Sequence, residues 1–196
     1  MTVLARIISF ISNPLFVVLP IPYLFVYWRS GNSEYAQIWL VISLLFLVIA
    51  GFIVFLEVER GVFSDLDVSH REQRPLLFLI AFIICAIYLG CLVLFQAPRI
   101  LMISAVGIGA GILVTSFVNR WIKASIHVAT NTCVLLSCMI MYQLPLVTLL
   151  LIPLIAWSRI YIKRHTLSET IAGGIVGVLL TLLMYTTLKY LFHITL

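Results

Sequence analysis

The stretch Ser158-Arg159-Ile160-Tyr161-Ile162-Lys163-Arg164-His165-Thr166-Leu167-Ser168-Glu169 carries three cations, a histidine and a carboxylate, in a 196-residue chain with only 10% charged residues. Strongly apolar runs flank it on both sides. Ionisable groups at membrane depth are costly, so a cluster of this kind points to a site. With a helix starting after Thr166, His165 and Glu169 stand four apart on one face. A carboxylate there takes a ring N–H, which fixes the tautomer and leaves the other nitrogen to act. Arg159 supplies a planar fork suited to phosphate oxygens. The plainer alternative is a cationic interfacial loop that anchors a helix end.

Two further clusters have matching chemistry. One holds Asp65, Asp67, His70, Arg71, Glu72, Arg74 and Pro75; the other holds Arg120, Lys123, Ser125 and His127. Several phosphate-binding cations, two histidines and a hydroxyl suit phosphoryl transfer, in which one imidazole attacks phosphorus and the other protonates the departing oxygen. Arg and Lys spread the charge that builds on the equatorial oxygens. Lys163 and Arg164 read more simply as headgroup anchors, and His193 as a bystander near the C-terminus.

Apolar helices must position these clusters. The chain is 63% hydrophobic, with a mean hydropathy of +1.20, far beyond what a soluble core requires. Several runs approach the length that crosses a bilayer. The expectation is an all-α, polytopic transmembrane bundle of six to seven helices, forming one domain over residues 1–196. Candidate spans cover about residues 7–28, 36–56, 75–95, 100–118, 128–142, 146–157 and 170–192. Pro14, Pro20 and Pro22 predict a kinked or partly re-entrant first span. The first run is too long for a signal peptide and lacks a small-residue cleavage site. Gly173, Gly174 and Gly177 predict a close-packing face on the last helix. With seven crossings, the polar loops 57–74, 119–127 and 158–169 fall on one side of the membrane. The net charge of +5 is scattered among these loops, which argues for anionic headgroups or phosphate and against nucleic acid. Cys85, Cys91, Cys133 and Cys138 lie in apolar runs without metal-ligand spacing and read as packing residues.

The order of the clusters resembles the type 2 phosphatidic acid phosphatase superfamily of membrane lipid phosphatases. The third motif of that family is matched by Ser158-Arg159 with His165 and Glu169, the second by Ala124-Ser125-Ile126-His127, and the first by Arg74-Pro75. The resemblance implies that His165 is the nucleophile, forming a phosphohistidine, that Glu169 orients it, and that His127 is the general acid. It implies that Arg74, Arg159 and Ser125 hold phosphate oxygens, and it implies no metal and no other cofactor. Three positions depart from the family pattern. Asp67 stands where the family has Lys, and Arg71 or Lys123 is then the candidate replacement cation. Ile126 stands for Gly and resists positive φ, so a phosphate nest of the Gly type is altered. Glu169 stands for Asp and is one methylene longer. The implied activity is hydrolysis of a phosphate monoester or pyrophosphate on a lipid such as phosphatidate, phosphatidylglycerol phosphate or a polyprenyl phosphate. Two alternatives compete. Asp65-Leu66-Asp67 faintly matches the diphosphate–Mg²⁺ motif of a membrane prenyltransferase, although a second acidic cluster is missing, and the altered motifs also allow an inactive lipid-binding protein.

Overall fold

The computed structural model describes residues 1–191, and these are helical with no strand. The α-helices are α1 (Thr2–Ile11), α2 (Pro14–Val18), α3 (Ile21–Ser30), α4 (Ser33–Glu59), α5 (Arg74–Leu94), α6 (Arg99–Val118), α7 (Ile126–Tyr142), α8 (Leu151–Tyr161) and α9 (Leu167–Thr186). Short 3₁₀ turns at Arg71–Gln73 and Leu146–Leu150 lead into α5 and α8, and a π turn at Thr187–Leu191 follows α9. The end of the seventh candidate span and His193 lie outside the described residues.

Prolines divide the first apolar run. Pro14 opens α2, Pro20 is the N-cap of α3 and Pro22 sits in its first turn, where a missing N–H costs nothing. The result is a chain bent by 43° between residues 11 and 14, which is the expected kink. By length and composition α4, α6, the segment Arg71–Leu94 and the segment Leu167–Tyr190 each suffice to cross a membrane, and the bent first run makes a fifth if its two halves count as one span. Six or seven crossings require the shorter apolar helices Ile126–Tyr142 and Leu146–Tyr161 to cross as well. The 17 residues of α7 extend about 26 Å, slightly less than a typical hydrocarbon core.

The chain divides into two compact units, Met1–Val18 with Trp121–Leu196, and Leu19–Arg120. In the second unit α3 packs on α4 and α5 on α6, around a core of Val26, Ala36, Trp39, Leu92, Ala97, Leu101 and Ala105. Ser43 is satisfied locally: it donates to the Trp39 carbonyl and meets the Tyr88 hydroxyl at 2.6 Å, whereas the buried Trp39 Nε1 has no partner among the described residues.

In the first unit α7 lies against α9, with α8 beside both and α1 against α8. Two glycines set the α7–α9 spacing. A Cβ on Gly173 would stand 2.5 Å from the Ser125 carbonyl oxygen, and one on Gly177 would stand 2.6 Å from that of Ala129. Any side chain there would drive the helices apart, so close backbone approach explains both residues. A Cβ on Gly174 would meet nothing nearer than 4.0 Å, so only two of the three glycines make the contact.

Candidate active site

Residues 158–169 form a helix-to-helix reversal with both ends capped. At the end of α8, Lys163 adopts φ 58. Its N–H donates to the Ile160 carbonyl at 2.9 Å, and that of Arg164 donates to the Arg159 carbonyl at 3.0 Å. These two bonds, with a left-handed residue between, are the Schellman closure of a helix C-terminus. The turn folds the chain back so that the His165 N–H also reaches the Arg159 carbonyl, at 3.3 Å. The six-residue separation of Arg159 and His165 is therefore one helix ending.

α9 then starts with a capping box. Thr166 Oγ1 accepts from the Glu169 N–H at 3.3 Å, and Glu169 Oε2 accepts from the Thr166 N–H at 3.1 Å. The same Oε2 lies 2.9 Å from His165 Nδ1. The extra methylene of Glu does not break the contact, because the capping box holds the carboxylate back over the helix start. With Nδ1–H donating to the carboxylate, Nε2 of His165 carries the lone pair. The imidazole is nearly buried, at 2% side-chain exposure, whereas Glu169 retains 19%.

The loop before α7 is bonded to main-chain carbonyls of this reversal. The Ser125 N–H donates to the Glu169 carbonyl at 3.0 Å, and Lys123 Nζ donates to that of Arg164 at 3.1 Å. Ser125 is fully buried and is the N-cap of α7, its hydroxyl accepting from the Val128 N–H. Ile126 opens the helix in ordinary helical backbone, so this position needs no positive φ and no glycine. His127 is buried in the first turn, with Nε2 3.4 Å from Arg159 Nη1. Arginine only donates, so Nε2 is the acceptor in this contact. Arg159 is itself buried, and its Nη1 also donates to Ser9 Oγ of α1 at 2.6 Å.

Of the eight candidate residues, six (Lys123, Ser125, His127, Arg159, His165 and Glu169) lie in the first unit and are linked by these bonds. Arg71 and Arg74 lie in the second unit. There Arg74 is buried; its Nε donates to the Val68 carbonyl at 3.3 Å and its Nη1 to Asn119 Oδ1 at 3.5 Å. Arg71 donates to the main-chain carbonyls of Asn119 and Arg120. Asp65 shapes the preceding loop by accepting from the Asp67 N–H and the Ser69 hydroxyl. Val68 follows at φ 44, with its side chain fully buried.

Three contributors escape the sequence reading. Thr166 had a readable signal, because Thr-x-x-Glu before an apolar run is a capping box. Asn131 lies one turn after His127 and donates to the His127 and Ser12 carbonyls at 2.7 and 2.8 Å. Ser9 had no signal, since its partner lies 150 positions away. Among the described residues, no three His, Cys, Asp or Glu side chains gather as metal donors would.

The family model described as the PAP2 superfamily matches residues 104–193. That is the superfamily the motifs resemble, one of phosphatases acting on phosphate esters. The match takes in Ser125, His127, Arg159, His165 and Glu169 and leaves out Arg71 and Arg74. No curated protein and no solved structure matches the chain.

Proposed function

We propose that this chain, whose residues 104–193 match the PAP2 superfamily model, is a membrane phosphatase that removes phosphate from a lipid through a phosphohistidine. The observation that carries the reading is the joint geometry of two imidazoles and one guanidinium. Glu169 accepts a hydrogen bond from Nδ1–H of His165, while Arg159, whose carbonyl receives the His165 main-chain N–H, reaches His127 Nε2 with its guanidinium. α7 and α9 both begin here, and helix N-termini favour an anion.

In this reading the phosphate oxygens take the guanidinium donors of Arg159, with Lys123 and the Ser125 hydroxyl as further ligands. With phosphate bound, His127 Nε2 gives up its 3.4 Å contact with Arg159 Nη1 and holds a proton, while Nη1 keeps its bond to Ser9. His165 Nε2 attacks phosphorus, the bond from phosphorus to the lipid oxygen breaks, and that oxygen takes the His127 proton. Water then attacks the phosphohistidine and gives a proton to His127, and inorganic phosphate leaves with His165 restored. Glu169 stabilises the imidazolium character that builds on His165. The roles of Arg71 and Arg74 rest on the first motif alone. No step calls for a metal. The apolar helices suit a lipid carrier such as phosphatidate, phosphatidylglycerol phosphate or a polyprenyl mono- or pyrophosphate.

The test is phosphate release by purified protein from a panel of these lipids in micelles. Turnover should persist in chelator and be inhibited by vanadate, which mimics five-coordinate phosphorus. Strict Mg²⁺ dependence would favour prenyl transfer, and no release from any lipid would favour a binding protein; either would refute the proposal.

A further inference from the structure

α1 lies outside all three motifs and outside the family match. It is an amphipathic helix whose buried face is Ala5 and Ser9, while Val3, Leu4, Ile7, Phe10 and Ile11 are exposed. Its packing partner is α8, the helix that carries Arg159. Two polar ties fix its C-terminal end within this unit. Asn131 Nδ2 donates to the Ser12 carbonyl, and Arg159 Nη1 donates to Ser9 Oγ.

The second tie is unusual for this chain. A helical serine ordinarily turns its hydroxyl back to a carbonyl of its own helix. Ser30, Ser43, Ser104 and Ser158 all do so here, donating to the carbonyls of Val26, Trp39, Ile100 and Ile155. Ser9 instead receives a guanidinium from another helix at 2.6 Å. An arginine has four flexible side-chain torsions, so a fixed acceptor on one nitrogen removes much of the freedom that phosphate binding would otherwise have to freeze. The same nitrogen faces His127 Nε2, so its position also sets the distance between the cation and the second imidazole.

We propose that Ser9 is a positioning residue of the site. Its hydroxyl holds the Arg159 guanidinium in the orientation that binds phosphate, which makes the amphipathic N-terminal helix part of the anion pocket. The inference rests on the phosphatase reading and adds a residue that the motifs do not contain.

The experiment measures vanadate binding by calorimetry in the full-length protein, with thermal unfolding as a parallel readout. Ser9→Ala removes the acceptor without adding bulk and should weaken vanadate about tenfold, the scale of a hydrogen bond to a charged group, while the protein still unfolds cooperatively at a midpoint lowered by the bond that Arg159 loses. Ser9→Thr keeps the hydroxyl and should stay within about twofold of wild type. In an Arg159→Lys background Ser9→Ala should cost less than about twofold, because its partner is gone. Wild-type affinity in Ser9→Ala would overturn the inference. So would an undiminished tenfold loss in the Arg159→Lys background, or an equal loss in Ser9→Thr. Wild-type protein that neither binds vanadate nor releases phosphate would overturn the phosphatase reading itself, and this inference with it.

Discussion

Glu169 does two things that substitution can separate. Its Oε2 closes the capping box on Thr166 and holds Nδ1 of His165. Glu169→Gln keeps an oxygen that can accept from both donors but removes the charge that favours an imidazolium. The expected outcome is near-normal thermal stability with kcat lowered about 10²-fold or more, within the range of general acid–base effects. Glu169→Ala removes both bonds and should add a loss of about 1 kcal/mol of stability from the missing cap. Equal activity in Glu169→Gln and wild type would reduce the carboxylate to a cap. This pairing was half legible in the sequence. The four-residue spacing predicts the contact with His165 but not the capping box, although Thr166-Leu167-Ser168-Glu169 spells one. Ile126 teaches the converse. Read as a missing glycine, it suggested an altered nest, yet the local fold asks only for a helix start there.

Between α8 and α9 the turn does what no single side chain does: it carries His165 back over Arg159. Its left-handed residue is Lys163, at φ 58 and exposed. A side chain with a Cβ resists that region, whereas glycine enters it freely. Lys163→Gly should therefore stabilise the protein by about 0.5–1 kcal/mol, seen as a higher thermal midpoint in detergent, with kcat unchanged. A lowered midpoint would show that the lysine contributes more than its backbone costs. Helix positions were largely readable from hydropathy and proline, as the limits of α5, α6 and α7 show. The contact faces were read only where the residue itself announces them, as Gly173 and Gly177 do. The ties of α1 to Arg159 and Asn131 were invisible, because a small polar residue in an apolar run does not name its partner.

At the scale of the whole chain, hydropathy predicted helices, and helices are what the described residues form. It leaves the number of crossings between five and seven, because hydropathy alone does not separate a short apolar helix from a span. α7 and the Leu146–Tyr161 segment fall in that gap. The convergence of loops 119–127 and 158–169 rests on direct bonds between Lys123, Ser125 and the α8–α9 reversal. The measurement that bears most directly on the central claim is rapid acid-free quenching of a phosphate-labelled lipid reaction, followed by mapping of the covalent label. The account predicts label on the imidazole of His165 in wild type, slower formation and slower loss of that label in His127→Ala, and neither label nor turnover in a folded His165→Ala variant. Turnover by His165→Ala, or label on any other residue, would contradict it.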